Sequence, residues 1–241
     1  MSVDMRRLGE VISGHWQLLG LTAAIFLLWP TDLVLPLKIL IVFLHEMSHA
    51  LALLLTGGSV ESLTVDRMQG GLVTGYGGNR FITLSAGYLG SLLLGMALMI
   101  LAVRTTWDRA ILGGFGALIL LTTALYARGL FALLFGGLTG AVMIAVAIYL
   151  NRSVSDLCLR VIGLSSMIYV PFDIFSDTIS RSHLRSDARM LAEEFGGSTT
   201  IWGTIWLVLS LLALWLCVRY GLGGDSNIRR HKPPGPKRHS T

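Results

Sequence analysis

The 241-residue chain is 53% hydrophobic and 14% charged, with a mean hydropathy of +0.68. A soluble domain carries roughly 25% charged residues, so this composition excludes one and describes a polytopic membrane protein with length for about six or seven spans. The net charge of +5 comes largely from the C-terminal tail; no nucleic-acid-binding signature accompanies it, so it points to anionic lipid headgroups, not to nucleic acid.

Arg6 and Arg7 precede an apolar stretch, Trp16 to Trp29, that lacks a small-residue cleavage site and reads as a first span with tryptophans as interface anchors. Pro30-Thr31-Asp32 breaks it. A second span runs from about Leu33 to Leu55, with Pro36 in its first turn, where proline is tolerated. Ser59 to Arg80 differs from the rest: glycines and β-branched residues among polar ones predict short strands or a hairpin. Further spans follow at about Phe81–Val103, Ala110–Ala127, Leu130–Leu150 and Leu157–Ile179. The polar stretch Ser180 to Ser198, which includes Ser186-Asp187-Ala188-Arg189, predicts a short surface helix. A seventh span is expected from Ile201 to Val218, with Thr199 or Thr200 as N-cap. Glycines inside the spans, among them Gly87, Gly90, Gly95, Gly113, Gly116, Gly136 and Gly140, read as close helix–helix packing. The expected organisation is an all-α polytopic transmembrane domain over residues 1–222 with one short β element, then a basic, disordered tail over 223–241.

The chemistry sits in the second span, at His45-Glu46-Met47-Ser48-His49. Two histidines four apart lie one turn apart on one helix face, where both imidazoles reach one metal ion. The glutamate beside the first is placed to act as general base on a water the metal activates. Ionisable side chains at membrane depth are costly and mark a functional site by default. Catalytic zinc usually takes three protein ligands. The other histidines, His15, His183, His231 and His239, lie in segments that do not match His45's depth, with His183 kept open as a donor. Asp173 and Asp177 stand four apart in an apolar segment behind Pro171. Asp173 is the favoured third ligand. Asp177 is the alternative, or orients a ligand from behind it; the bland reading places both at the water interface with Arg181 as counter-charge.

These residues resemble the site-2 protease family of intramembrane zinc metalloproteases. His45-Glu46-Met47-Ser48-His49-Ala50 is similar to that family's metal-binding helix. The Gly-rich stretch from Ser59 to Arg80 is similar to the β-hairpin thought to present substrate. Ser85-Ala86-Gly87-Tyr88-Leu89-Gly90-Ser91 resembles the small-residue motif of the next span, with Tyr88 where proline is usual and Ser91 where asparagine is usual. The late aspartate resembles the third ligand. The departures point to a compact, divergent branch similar to short metallopeptidase-like proteins of bacteria and fungi. The resemblance implies one Zn²⁺ per chain, Glu46 as catalytic base, hydrolysis of peptide bonds in membrane-embedded protein substrates, and residence in the cell membrane of a bacterium.

Two other classes compete. One is a catalytically inactive metal-binding membrane protein that binds or chaperones other membrane proteins; a closed, four-ligand site would mark it. The other is a metal or solute transporter, which would show broken helices in matching halves, and the chain has one motif without a symmetric partner.

Overall fold

The computed structural model describes residues 2–222 and 224–228. Eight α-helices and one hairpin make up the described chain: α1 (Ser2–Leu28), α2 (Leu35–Leu55), β1 (Ser59–Val65), β2 (Gly71–Tyr76), α3 (Arg80–Arg104), α4 (Asp108–Tyr126), α5 (Leu130–Tyr149), α6 (Arg152–Phe175), α7 (Asp187–Phe195) and α8 (Thr199–Leu216). A 3₁₀ turn leads into α2, and single π-helical turns extend α6 through Ser176–Ser180 and α8 through Cys217–Gly221.

Among the described residues six segments are long and apolar enough to cross a bilayer: Asp32–Leu55, Arg80–Arg104, Asp108–Tyr126, Leu130–Tyr149, Arg152–Ser180 and Thr199–Gly221. The first expected span, Trp16–Trp29, is not among these six. The apolar part of α1, Ile12–Leu28, gives about 25 Å of helix against a hydrocarbon core of about 30 Å. Six such helices suit an integral membrane protein.

α2 is the central helix. Its apolar window is 67% buried within the protein, against 22–56% for the other five spans, so lipid does not reach most of its surface. One side packs with Leu63 of β1, Leu112 and Ile119 of α4 and Leu159 of α6. α3 lies against α2 along Gly87 and Gly90, and crosses α6 where Gly95 and Gly163 face each other. A β-carbon on Gly163 would lie 2.7 Å from the Gly95 carbonyl, so the small residues set that spacing. Gly116 and Gly140 do the same between α4 and α5, whereas Gly114 and Gly137 face open space.

The hairpin after α2 is antiparallel, with pairs from Ser59↔Tyr76 to Val65↔Gly71 and an irregularity between Val60 and Ser62. Its outer β1 edge is tied to the α4–α5 connection, because the Leu63 carbonyl accepts from Arg128 N at 2.9 Å. α8 starts one residue before expectation: Ser198, not Thr199 or Thr200, is the N-cap and accepts from Ile201 N at 3.2 Å. Of the expected tail, residues 224–228 are described and contact the bundle. Ser226 N donates to the Gly14 carbonyl, the Ser226 hydroxyl lies 2.7 Å from His15 Nδ1, and Arg160 of α6 donates to the Ser226 carbonyl. Residues 229–241, which hold the tail's charge run, lie outside the described residues.

Candidate active site

His45 and His49 emerge from one face of α2, and their Nε2 atoms approach to 3.0 Å with the rings at 77°. Asp187 closes the group: its Oδ2 lies 3.0 Å from His45 Nε2 and 3.1 Å from His49 Nε2. The three donor atoms all lie within 4.8 Å of one another. Lone pairs aimed at one point repel unless a proton or a cation sits among them, so this geometry suits a cation.

Neighbouring contacts hold the donors in that pose. His49 Nδ1 is 2.7 Å from the Thr83 carbonyl of α3. A carbonyl only accepts, so Nδ1 carries the proton and Nε2 is left with its lone pair toward Asp187. The Tyr88 ring meets the His45 ring edge-on, with centroids 4.6 Å apart. Gly87 gives the rings room: a β-carbon there would fall 2.4 Å from both His45 Nε2 and His49 Nε2. The glycine that reads as a packing residue is thus a wall of the donor cluster.

Asp187 is the first residue of α7. The Ser186 side chain caps that helix by accepting from Arg189 N at 3.2 Å, and buried Ala188 and Leu191 anchor it. Burial alone would raise the Asp187 pKa, but the charge of His49 and hydrogen bonds from both histidines outweigh it and hold the carboxyl well below the usual carboxylate range. With the rings protonated, Asp187 is thus the anion of the group, and a cation taking the place of those protons would keep it one.

The expected third donors lie elsewhere. Asp173 and Asp177 line the same cavity, of about 670 Å³, but neither joins the donor group. Asp177 is already engaged: its Oδ2 accepts from the Tyr88 hydroxyl at 3.0 Å, and its Oδ1 pairs with Arg181. Asp173 lies beside Tyr169, one turn earlier on α6. Past Ser180 the chain folds back through 181–186 and delivers Asp187 instead. Glu46 is outside the donor group, is 5% exposed, and faces the cavity beside β2. The sequence reading missed Asp187 because it sits in a polar stretch; a Ser-Asp pair at a helix start was the signal at hand.

A comparison with protein families matches residues 18–217 to the family described as Peptidase M50B-like. The chain belongs to that family. Peptidase M50B-like proteins are site-2 proteases, intramembrane metallopeptidases, so the match agrees with the His-Glu-x-x-His helix, the hairpin and the six spans. Comparisons with curated proteins and with solved structures returned no match.

Proposed function

We propose that this member of the Peptidase M50B-like family is an active intramembrane zinc metalloprotease that hydrolyses peptide bonds of membrane-embedded proteins. The observation that carries the reading is the convergence of His45, His49 and Asp187 on one point, with Glu46 in the same cavity inside a membrane-spanning bundle. Two imidazole nitrogens and one carboxylate oxygen suit zinc. Three donors leave a coordination position for water or substrate, which separates this reading from a structural, four-donor site. A zinc ion held by the three would supply Lewis acidity toward a carbonyl and toward water.

The chain's own residues do the rest. Thr83 and Tyr88 fix the two rings, so the donors need not reorganise. Glu46, next to His45 and free of any described ion pair, takes a proton from the attacking water at its carboxylate. It returns that proton to the leaving amine nitrogen. The bundle around α2 keeps lipid out, and β2 and the start of α7 form part of the cavity wall.

The test uses purified full-length protein in detergent. We expect about one zinc per chain, lost in Asp187→Ala, and cleavage of at least one of a panel of single-span reporter proteins. Glu46→Gln should keep its zinc and lose about 10²- to 10⁴-fold in rate. A wild-type protein that binds no zinc, or a Glu46→Gln variant that cleaves at the wild-type rate, overturns the reading.

A further inference from the structure

The motif that supplies Glu46 does not by itself aim it. On a helix the residue after His45 points about 100° away from the face His45 shares with His49. Glutamate also has three side-chain torsions to fix before its carboxylate can face the donor cluster. Something outside α2 has to hold it.

The outer edge of β2 is against it. In an antiparallel pair the backbone groups of successive residues alternate between facing the partner strand and facing away. Leu63 pairs with Val73, and the Leu63 carbonyl points outward, to Arg128 N. That pair is therefore the kind without mutual hydrogen bonds, and the Val73 N–H also points outward, on the opposite side, toward α2. There it faces the Glu46 carboxylate, within reach for a hydrogen bond from the amide to a carboxylate oxygen. Two residues along the same edge, Gly71 lies so close that a β-carbon on it would meet Glu46 Oε1 at 2.3 Å and Cδ at 2.8 Å. Both contacts come from one strand edge that lines the cavity.

We propose that the outer edge of β2 is a positioning element for the base: the Val73 amide holds the Glu46 carboxylate, and Gly71 provides the room for it. The proposal rests on the reading of Glu46 as base, and it gives the hairpin a role in the chemistry separate from any contact with substrate. Val73 and Gly71 are positioning residues; Glu46 is the group that meets the water.

Residue-resolved amide hydrogen exchange of the full chain in detergent tests the bond without any cleavage assay. In wild type the Val73 amide should be protected. In Glu46→Ala it should exchange about tenfold faster or more, as expected for a lost hydrogen bond to a charged group. Glu46→Gln, whose side-chain oxygen still accepts, should restore most of that protection. The Leu72 and Thr74 amides face β1 and should not change. An unchanged Val73 rate in Glu46→Ala, or equal acceleration of Leu72, Val73 and Thr74, overturns the proposal. On a reporter that wild type cleaves, Gly71→Ala should lower kcat about a hundredfold, with KM within about twofold and zinc content unchanged; a wild-type kcat in that variant also overturns it. If no reporter is cleaved, the protease reading fails, and the exchange result still decides whether β2 holds Glu46. If Val73 is indifferent to Glu46, zinc binding and the Glu46→Gln result stand untouched.

Discussion

The two ends of the bundle bury charge in opposite ways. At the end away from the hairpin, Asp108 is fully buried and pairs with Arg152 at 2.5 Å, while Asp156 and Arg160 pair one turn apart on α6, both nearly inaccessible. Each carboxylate there has an arginine. At the hairpin end the described ion pairs of Asp187 are with His45 and His49 alone, and Glu46 has none. A carboxylate buried in a membrane protein needs a cation nearby. Arginines supply it permanently at one end. The other end offers neutral-capable rings and a carboxylate, a set that accepts an exchangeable cation. The first end reads as architecture, the second as a site.

That contrast can be broken by substitution. The largest effect is expected at the architectural end. Arg160→Ala leaves Asp156 buried without its partner and frees the Ser226 carbonyl, so it should cost about 3–5 kcal/mol of stability, read as a lowered unfolding midpoint in detergent. The folded fraction should still carry zinc. Pairing Arg160→Met with Asp156→Leu should recover most of the loss, because replacing both partners removes the uncompensated charge. A marginal loss in the single variant would mean that water reaches this pair.

At the site end, Asp187→Ala should weaken zinc binding about a thousandfold, roughly one donor's share of the 10–16 kcal/mol typical of structural zinc, with little loss of fold. Asp173→Ala and Asp177→Ala should hold zinc within about threefold of wild type, since outer residues that do not touch a ligand fall below the usual range for supporting contacts. Zinc lost with Asp173 and kept without Asp187 would reverse the assignment. Gly87→Ala ranks next: its methyl group collides with both ring nitrogens, and about 10- to 100-fold weaker zinc binding is expected, measured by competition with a chelator. Ser198→Ala belongs to neither end and should cost only about 1 kcal/mol through the lost cap of α8.

Much of the fold was legible because membrane spans are written in long apolar runs, and α2 through α5 begin and end within two residues of where those runs do. The hairpin was legible from its glycines and β-branched residues. α1 reads as a short span from its flanking tryptophans, but its apolar stretch falls below the length a bilayer needs. At the site, His45, Glu46 and His49 are adjacent in sequence and declare their shared face. Asp187 is separated from His45 by 142 residues, and in a polar stretch one aspartate looks like another. Asp173 and Asp177 drew attention by the rule that carboxylates in apolar segments need partners. They do have polar neighbours, but those are Tyr169, Tyr88 and Arg181, none of which a spacing rule singles out. The contacts of 224–228 were hidden for a related reason: its bonds run to Ser13, Gly14 and His15, more than 200 residues away, and to Arg160, 66 residues away.

The position of Asp187 also sets a timetable. A ribosome adding about 5–20 residues per second makes His45, Glu46 and His49 roughly seven to thirty seconds before it makes the carboxylate that completes the cluster. During that interval four more of the six spans are synthesised, and the half-built chain holds two histidines and Glu46 without their third companion. In this order the donor cluster is completed only after most of the scaffold that holds it has been made.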